Sequence, residues 1–257
     1  MLDLLVSIIM PTYNSAKYIE QTIDAIRAQT YTNWELLITD DFSEDNTIEI
    51  ISKYVELDSR IKFFKLNRNS GAGVARNNSI HYAQGVYIAF CDSDDIWLPE
   101  KLEKQIAFMQ KNNCAFSFSS YLTCSEEGEN IGIVICPRLI TYKSNLRDCK
   151  IGCLTAIYDT QKLGKIYMPL IRKRQDWGLW MKILKDVKIG MGIKEPLAIY
   201  RHRNNSISRN KKSLIKYNVR VYQEVLGWSR IRATLFFIFC FTPSYIMKRL
   251  QMWVINS

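Results

Sequence analysis

The chain holds only two histidines, His81 and His202, in 257 residues. That excludes a multi-histidine metal site and leaves little room for a Ser-His-Asp triad. Its seven cysteines are an odd number and include no C-x-x-C pair. Neither a paired disulfide framework nor a thiolate zinc site is indicated, and a reducing compartment is the default. Glycine and proline are few, at 11 and 6, and the hydrophobic fraction is 47%. Such a chain is neither low-complexity nor disordered and is long enough to bury a real core. Neither a P-loop (G-x-x-x-x-G-K-[ST]) nor G-x-G-x-x-G follows the first apolar segment, which argues against an NTPase or a dinucleotide dehydrogenase. The uncharged C-terminal stretch Ala233–Met247 has 15 residues and is interrupted by Pro243, short of the ~20 that span a bilayer. Leu4–Met10 is apolar but follows Asp3, lacks a basic leader and runs into Pro11, which reads as a strand and not as a signal peptide.

Acid is missing from the C-terminus. Residues 201–257 carry 11 Lys and Arg against the single acid Glu224, so they hold the whole net charge of +10.

The first half alternates strand and helix patterns. Leu4–Met10 is followed by a helix over Ala16–Gln29 with Ile19, Ile23 and Ile26 on one face. A strand at Trp34–Thr39 ends in Asp40-Asp41, and Ser43, Asp45 and Asn46 offer caps for a helix reaching Leu57. Further strands are expected at Ile61–Leu66, Val86–Cys91 and Cys114–Tyr121, with helices at Gly71–Ala83, closed by Gly85, and from Pro99 to about Asn112. Repeated βα units of this length predict an α/β fold, a buried, mostly parallel sheet with helices on both faces. Residues 125–150 read as a hairpin-like insertion. Trp177, Trp180, Met181 and Leu184 recur at helical spacing over Gln175–Val187, strands follow at Ile189–Ile193 and Pro196–Tyr200, and a basic helical tail closes the chain. The expected division is a catalytic domain over residues 1–208, in halves of about 1–97 and 98–208, and a tail over 209–257.

In an open parallel sheet the carboxyl ends of the strands line one crevice where ligands bind, so Asn14, Asp41 and the acids at 92–95 should meet there. Asp40-Asp41 could equally be loop and capping chemistry. Asp92-Ser93-Asp94-Asp95 ends an apolar strand with three mutually repelling carboxylates, an arrangement that makes sense if a cation neutralises it. Carboxylate oxygens select hard divalent ions, Mg²⁺ or Mn²⁺, which usually share their shell with phosphate oxygens.

Taken in order, Val6–Asn14 (VSIIMPTYN), Gln29–Tyr31 (QTY), Trp34–Ser43 (WELLITDDFS), Asn69–Asn77 (NSGAGVARN), Ala83–Trp97 (AQGVYIAFCDSDDIW) and Gln175–Trp180 (QDWGLW) resemble the successive motifs of family 2 inverting glycosyltransferases of GT-A fold. The resemblance covers roughly residues 4–208. It implies a nucleotide-sugar donor, usually a UDP-sugar, held with Mn²⁺ or Mg²⁺ by a D-x-D motif. Matched residue by residue, Pro11, Tyr13 and Asp41 fall where the family holds the nucleoside, with Asp41 reading the uracil ring. Asp92 falls at the ribose side and the metal, Asp94 at the metal and Asp176 at the general base, while Asn14 and Ser93 belong to the same donor motifs. Asp95 could ligate the metal or a sugar hydroxyl. Inverting transfer needs one carboxylate to deprotonate the acceptor and a cation to stabilise the departing diphosphate, and it needs no covalent nucleophile.

The remaining candidates have two readings each. Arg76 could reach the diphosphate or be a solvated helix charge. His202, between Arg201 and Arg203, resembles the family's mobile loop that closes on phosphates, or is a solvated basic turn. Trp177 and Trp180 are core residues or sugar-stacking surfaces, and Cys149 and Cys153 read as small apolar residues. The tail either docks on the domain or lies on anionic lipid. The second case implies a peripheral enzyme on the cytoplasmic face of the bacterial inner membrane, with an undecaprenyl-diphosphate-linked acceptor and no nucleic-acid partner. The alternatives are a nucleotidyltransferase and a non-enzymatic membrane or nucleic-acid binding protein that uses the tail alone.

Overall fold

The computed structural model describes residues 2–203 and 211–246. Four parallel strands start the fold: β1 (Val6–Thr12), β2 (Trp34–Asp40), β3 (Ile61–Lys65) and β4 (Tyr87–Phe90), side by side in the order β3-β2-β1-β4. Every residue of β1, β2 and β4 is buried, which is why these segments read as continuous apolar runs without alternation. The helices between them are α1 (Ile19–Arg27), α2 (Thr47–Leu57) and α3 (Ala72–Tyr82). Next come the short β5 (Ile96–Trp97), α4 (Lys101–Lys111), β6 (Phe116–Cys124), β7 (Asn130–Val134), β8 (Leu139–Thr141) and α5 (Tyr142–Arg147). The chain continues through β9 (Ile157–Asp159), α6 (Thr160–Leu163), α7 (Gln175–Val187), β10 (Ile189–Arg201), α8 (Lys211–Leu226) and α9 (Arg230–Phe236), the last prolonged by a π-helical turn over Phe237–Phe241.

Among the described residues all ten strands share one sheet, and it is mixed beyond β4. β9 inserts antiparallel between β4 and β6, β10 runs parallel to β6, and β5 lies antiparallel on β10 at the edge. The sequence pattern did not single out β9 or β5, because three- and two-residue strands carry no periodicity to detect. The two strands expected at Ile189–Ile193 and Pro196–Tyr200 are one, β10, whose pairing with β6 shifts register on either side of Pro196, since proline has no N–H to donate to the ladder. The insertion expected at 125–150 opens as a hairpin, β6 with β7, and goes on to β8 and α5. Gly85 does not close α3, which ends at Tyr82. A Cβ on Gly85 would lie 2.5 Å from the Ser7 backbone nitrogen, so the glycine permits a close approach to β1.

The core lies on both faces of the sheet. Ile19, Ile23 and Ile26 of α1, Ile51 of α2 and Leu102 and Ile106 of α4 cover one face. Ile80 of α3 and Leu179, Trp180, Ile183 and Leu184 of α7 cover the other. Several buried polar groups inside the parallel half are paired: the Ser7 hydroxyl donates to Glu35 at 2.6 Å, Glu35 pairs with Lys62 at 2.8 Å, and the Thr39 and Ser79 hydroxyls share a hydrogen bond at 2.7 Å, as burial requires.

The tail docks through one face. Val221 and Tyr222 of α8, Ala233 of α9 and Phe241 pack on Trp177 and Met181 of α7, and the Trp177 indole N–H donates to the Asn145 carbonyl at 2.7 Å. The opposite face leaves Ile231, Leu235, Ile238, Phe239 and Ile246 exposed, at spacings that share one helical side. Among the described residues no helix is long and apolar enough to cross a membrane. Position 208, where the catalytic domain was expected to end, and Met247, Lys248 and Arg249 of the tail lie outside the described residues.

Trp177→Ala should remove about 3–5 kcal/mol of stability, the range for emptying a fully buried aromatic site. Because Trp177 packs α7 against the tail, limited proteolysis of the full-length variant should cut α8–α9 before the sheet.

Candidate active site

The carboxyl ends of β1, β2 and β4 open onto a cavity of about 880 Å³. Tyr13, Asn14, Asp41, Arg76, Asp92, Asp94, Asp95 and Asp176 all line it, so the residues expected to meet do meet. Pro11 is buried inside β1, and the lining begins at Tyr13. Asn14 holds a left-handed backbone at φ 46°. Its side-chain oxygen accepts the Glu44 N–H at 2.9 Å, which ties the end of β1 to the loop after β2, and asparagine is among the residues that tolerate this conformation.

Asp41 faces the loop before α3. Its two oxygens accept the N–H groups of Ser70 at 2.6 Å and Gly71 at 2.7 Å. Gly71 stands at φ +93°, a conformation that favours glycine. The loop-fixing reading of Asp41 is therefore realised, while each carboxylate oxygen keeps a lone pair for a ligand. Burial raises its pKa, with Asp40 adding to the effect and the two N–H groups and Arg172 opposing it.

Arg76 is no solvated charge. Its guanidinium is buried and donates from Nη2 to Asp92 at 2.5 Å and from Nη1 to the Gln175 side chain at 2.9 Å. One side chain thus joins α3, the end of β4 and the start of α7.

The acid cluster is folded by its own turn, with the Asp95 N–H donating to the Asp92 carbonyl at 3.1 Å. Ser93 points away from the cavity and shares a hydrogen bond with the Ser15 hydroxyl at 2.8 Å. Asp94 accepts from Arg203 Nη1 at 3.1 Å, yet burial and the neighbouring Asp92 raise its pKa. Asp95 is fully buried. Burial, then Asp94 and Asp92, push its pKa well above the usual carboxylate range, and its Oδ1 has no hydrogen-bond partner.

A buried carboxylate oxygen without a hydrogen-bond partner beside two more acids is a donor set whose ionised form a cation would stabilise. Among the described residues no three His, Cys, Asp or Glu side chains converge into a full cage. Mg²⁺ and Mn²⁺ do not demand one, since they commonly take one or two carboxylates and complete their shell with water and phosphate. The donors present fit such an ion.

Asp176 lies in the first turn of α7, at the cavity wall. His202 does not line the cavity: its ring packs edge-on against Tyr200 at 5.1 Å and its N–H donates to the Cys124 carbonyl at 2.9 Å. Arg203, one residue on and missed by the sequence reading, lines the cavity and pairs with Asp94. Arg201, also missed, is buried and donates to the Asp94 carbonyl, the Glu126 carbonyl and the Gln21 side chain. The run Arg201-His202-Arg203 after a strand carried that signal, because alternate residues of a strand share a face. Trp180 is core, and Trp177 belongs to the tail contact.

The chain matches Glycosyl transferase family 2 over residues 7–162 and belongs to that family. It is 42% identical over 247 residues, covering 96% of this chain and 98% of the other, to TuaG of Bacillus subtilis, a candidate teichuronic acid biosynthesis glycosyltransferase. It is 42% identical over 215 residues, 83% of each chain, to the Escherichia coli UDP-Glc:alpha-D-GlcNAc-diphosphoundecaprenol beta-1,3-glucosyltransferase WfgD. Its fold is that of Staphylococcus aureus TarS residues 1–349, solved with UDP-GlcNAc, at TM-score 0.72 and 21% identity over 95% of this chain and 75% of that one. The protein is a glycosyltransferase of GT-A fold, and the nucleotidyltransferase and non-enzymatic alternatives fall away.

The crowded acids carry a stability cost. A carboxyl whose folded pKa is raised favours the protonated state, so its contribution is present at low pH and lost as pH rises through the folded value. Asp95→Asn removes that loss. The ligand-free variant should melt above wild type at pH 7–8 by roughly 2–4 °C, the shift that ~1 kcal/mol produces at this size. The gap should close towards pH 4 in a calorimetric series.

Proposed function

We propose that the enzyme is an inverting, metal-dependent transferase that moves one sugar from a UDP-sugar, such as UDP-glucose, to an undecaprenyl-diphosphate-linked oligosaccharide in polysaccharide or O-antigen assembly. The observation that carries this reading is the lining of one cavity by both Asp176 and the Asp92, Asp94, Asp95 cluster. A lone carboxylate on one wall and a cation-seeking cluster on another supply the two requirements of inverting displacement. The substrates printed in the name of WfgD and the UDP-GlcNAc held by TarS support the donor and acceptor classes.

On this reading Pro11, Tyr13, Asn14 and Asp41 frame the nucleoside, and Asp92 takes the ribose side. Asp94, with Asp92, would hold Mn²⁺ or Mg²⁺. The ion supplies neutralisation of the charge that develops on the leaving diphosphate. Ser93 stiffens the cluster from behind, and Arg203 is positioned to face the phosphates. Asp176 takes the proton of the acceptor hydroxyl as its oxygen bonds to the anomeric carbon. The bond from that carbon to the β-phosphate oxygen breaks on the opposite face, and UDP leaves with the electron pair. A rigid first-turn position suits Asp176 to this task, because the base must stay within hydrogen-bond reach of the hydroxyl. The outward apolar residues of the tail, with Arg230 and Arg232 beside them, would rest on anionic lipid at the cytoplasmic face of the inner membrane.

Asp176→Asn keeps shape and most capping ability, so it should bind UDP and melt as wild type does while losing on the order of 10²–10⁴ in kcat. The assay is UDP release from UDP-sugars with a diphosphate-lipid acceptor. Chelation should abolish that release and Mn²⁺ or Mg²⁺ restore it. A variant that retains most of its turnover would refute the role.

Full-length protein should sediment with anionic vesicles in a salt-weakened manner. Deletion of residues 229–257 should release it, and equal recovery of both forms in the supernatant at low salt would count against the membrane role.

A further inference from the structure

The wall beside Asp176 carries cations that the displacement above does not use. Residues 172–174 read Arg-Lys-Arg, and all three line the cavity. Arg172 is exposed and has no side-chain hydrogen bond or ion pair among the described residues. Arg174 holds φ 68°, uncommon for a residue with a Cβ, and its Nε has no hydrogen-bond partner. The Lys173 ammonium stands 5.8 Å from the Tyr217 ring, which directs this strap towards α8.

A second cavity, of about 200 Å³, adjoins the first: Gly71, Arg172 and Gln175 line both. Its other walls include Arg220 of α8 and the apolar Val74, Leu170 and Ile171. Arg220 is half exposed and pairs with Glu224 at 3.3 Å. Leu170 is 70% exposed, although its neighbour Ile171 is buried in the contact with the tail. A path therefore leads from the base, past Arg172 and Arg220, onto an open leucine beside the tail helices.

We propose that Arg172 and Lys173, continued by Arg220, bind the diphosphate of the lipid-linked acceptor, and that its hydrocarbon chain leaves over Leu170 towards the tail. This rests on the acceptor class given under Proposed function. In an inverting displacement the attacking hydroxyl and the departing diphosphate stand on opposite sides of the anomeric carbon. Cations next to the base belong to the attacking side, while Arg203 and the acid cluster serve the leaving side. When the acceptor is a single sugar on its diphosphate, the class in the name of WfgD, a hydroxyl that reaches Asp176 stands one ring away from that diphosphate. Cations followed by apolar surface are what a phosphate joined to a hydrocarbon requires. Arg172 and Gly71 line both cavities, so Arg172 stands beside the 69–71 loop, where an acceptor would enter over bound donor.

The test is calorimetric binding to full-length protein with UDP and Mn²⁺ present. The probes are decyl-diphosphate-linked N-acetylglucosamine and the neutral decyl glycoside of the same sugar. Wild type should bind the diphosphate probe at least about tenfold tighter. Arg172→Ala/Lys173→Ala should lose roughly 10- to 100-fold for that probe, the span of charge-assisted hydrogen bonds, with affinity for the neutral glycoside and for UDP unchanged. Arg172→Lys/Lys173→Arg should keep most of the preference. An unchanged preference in the alanine variant, or no preference in wild type, overturns the site. An equal loss of UDP affinity overturns it too, by assigning the cations to the donor. Absence of UDP binding in wild type would instead overturn the donor reading, which separates the two failures.

Discussion

The site depends on one buried guanidinium. Arg76 leaves α3, donates to Asp92 at the end of β4 and to Gln175 at the start of α7, and so links the parallel half of the sheet to the helix that carries Asp176. Buried charge is tolerated only when paired and hydrogen-bonded, so the guanidinium, Asp92 and Gln175 must form together. The consequence is geometric. The acid cluster and the candidate base, 84 positions apart in sequence, are held in register by a buried side chain at the cavity wall. Gly73 belongs to the same lock, because a Cβ there would stand 3.0 Å from the Gln175 side chain.

That lock helps to hold an arrangement the fold alone would resist. Three carboxylates crowd one turn, and among the described residues only Asp92 and Asp94 have cationic partners, Arg76 and Arg203. Asp95 is left with an orphaned oxygen. The surrounding structure over-determines this turn through Ser93, which is tied to Ser15 and, by its carbonyl, to Thr22, and through Arg201, which braces Asp94 from the far side. Strain of this kind is retained where a ligand is to be bound.

Much of this was legible in the sequence where an element is long and buried. Strands β1, β2 and β4 and helix α7 announced themselves by apolar runs or helical spacing, and their polar ends marked the crevice. The mixed half was less legible. Antiparallel β9, three residues long, has no pattern of its own, and the register shifts around Pro196 made one strand look like two. Among site residues, the acids were readable because their crowding at a strand end demands an explanation. Arg76 was ambiguous, since nothing local says that a helix arginine is buried. His202 was favoured over Arg203 because only its neighbours' charge was visible, not the side of the strand end on which each residue emerges.

The span matched by the family, residues 7–162, ends before Asp176, Arg201 and Arg203. The wall that carries Asp41 and the acids at 92–95 is thus built inside that span, by strand ends whose positions follow from parallel pairing. The other wall comes from residues 172–203, placed by α7 and by β10, whose partners are β6, β8 and the edge strand β5. A site divided in this way separates two tasks. On the proposed reading, the parallel half would fix an acidic turn for a diphosphate and its cation, and the mixed half a carboxylate and a row of cations for a second substrate. The tail then closes the division, since its inner face is packed on the same helix α7 that presents Asp176. Any surface the tail's outer face rests upon is held at a set orientation to the candidate base through Trp177.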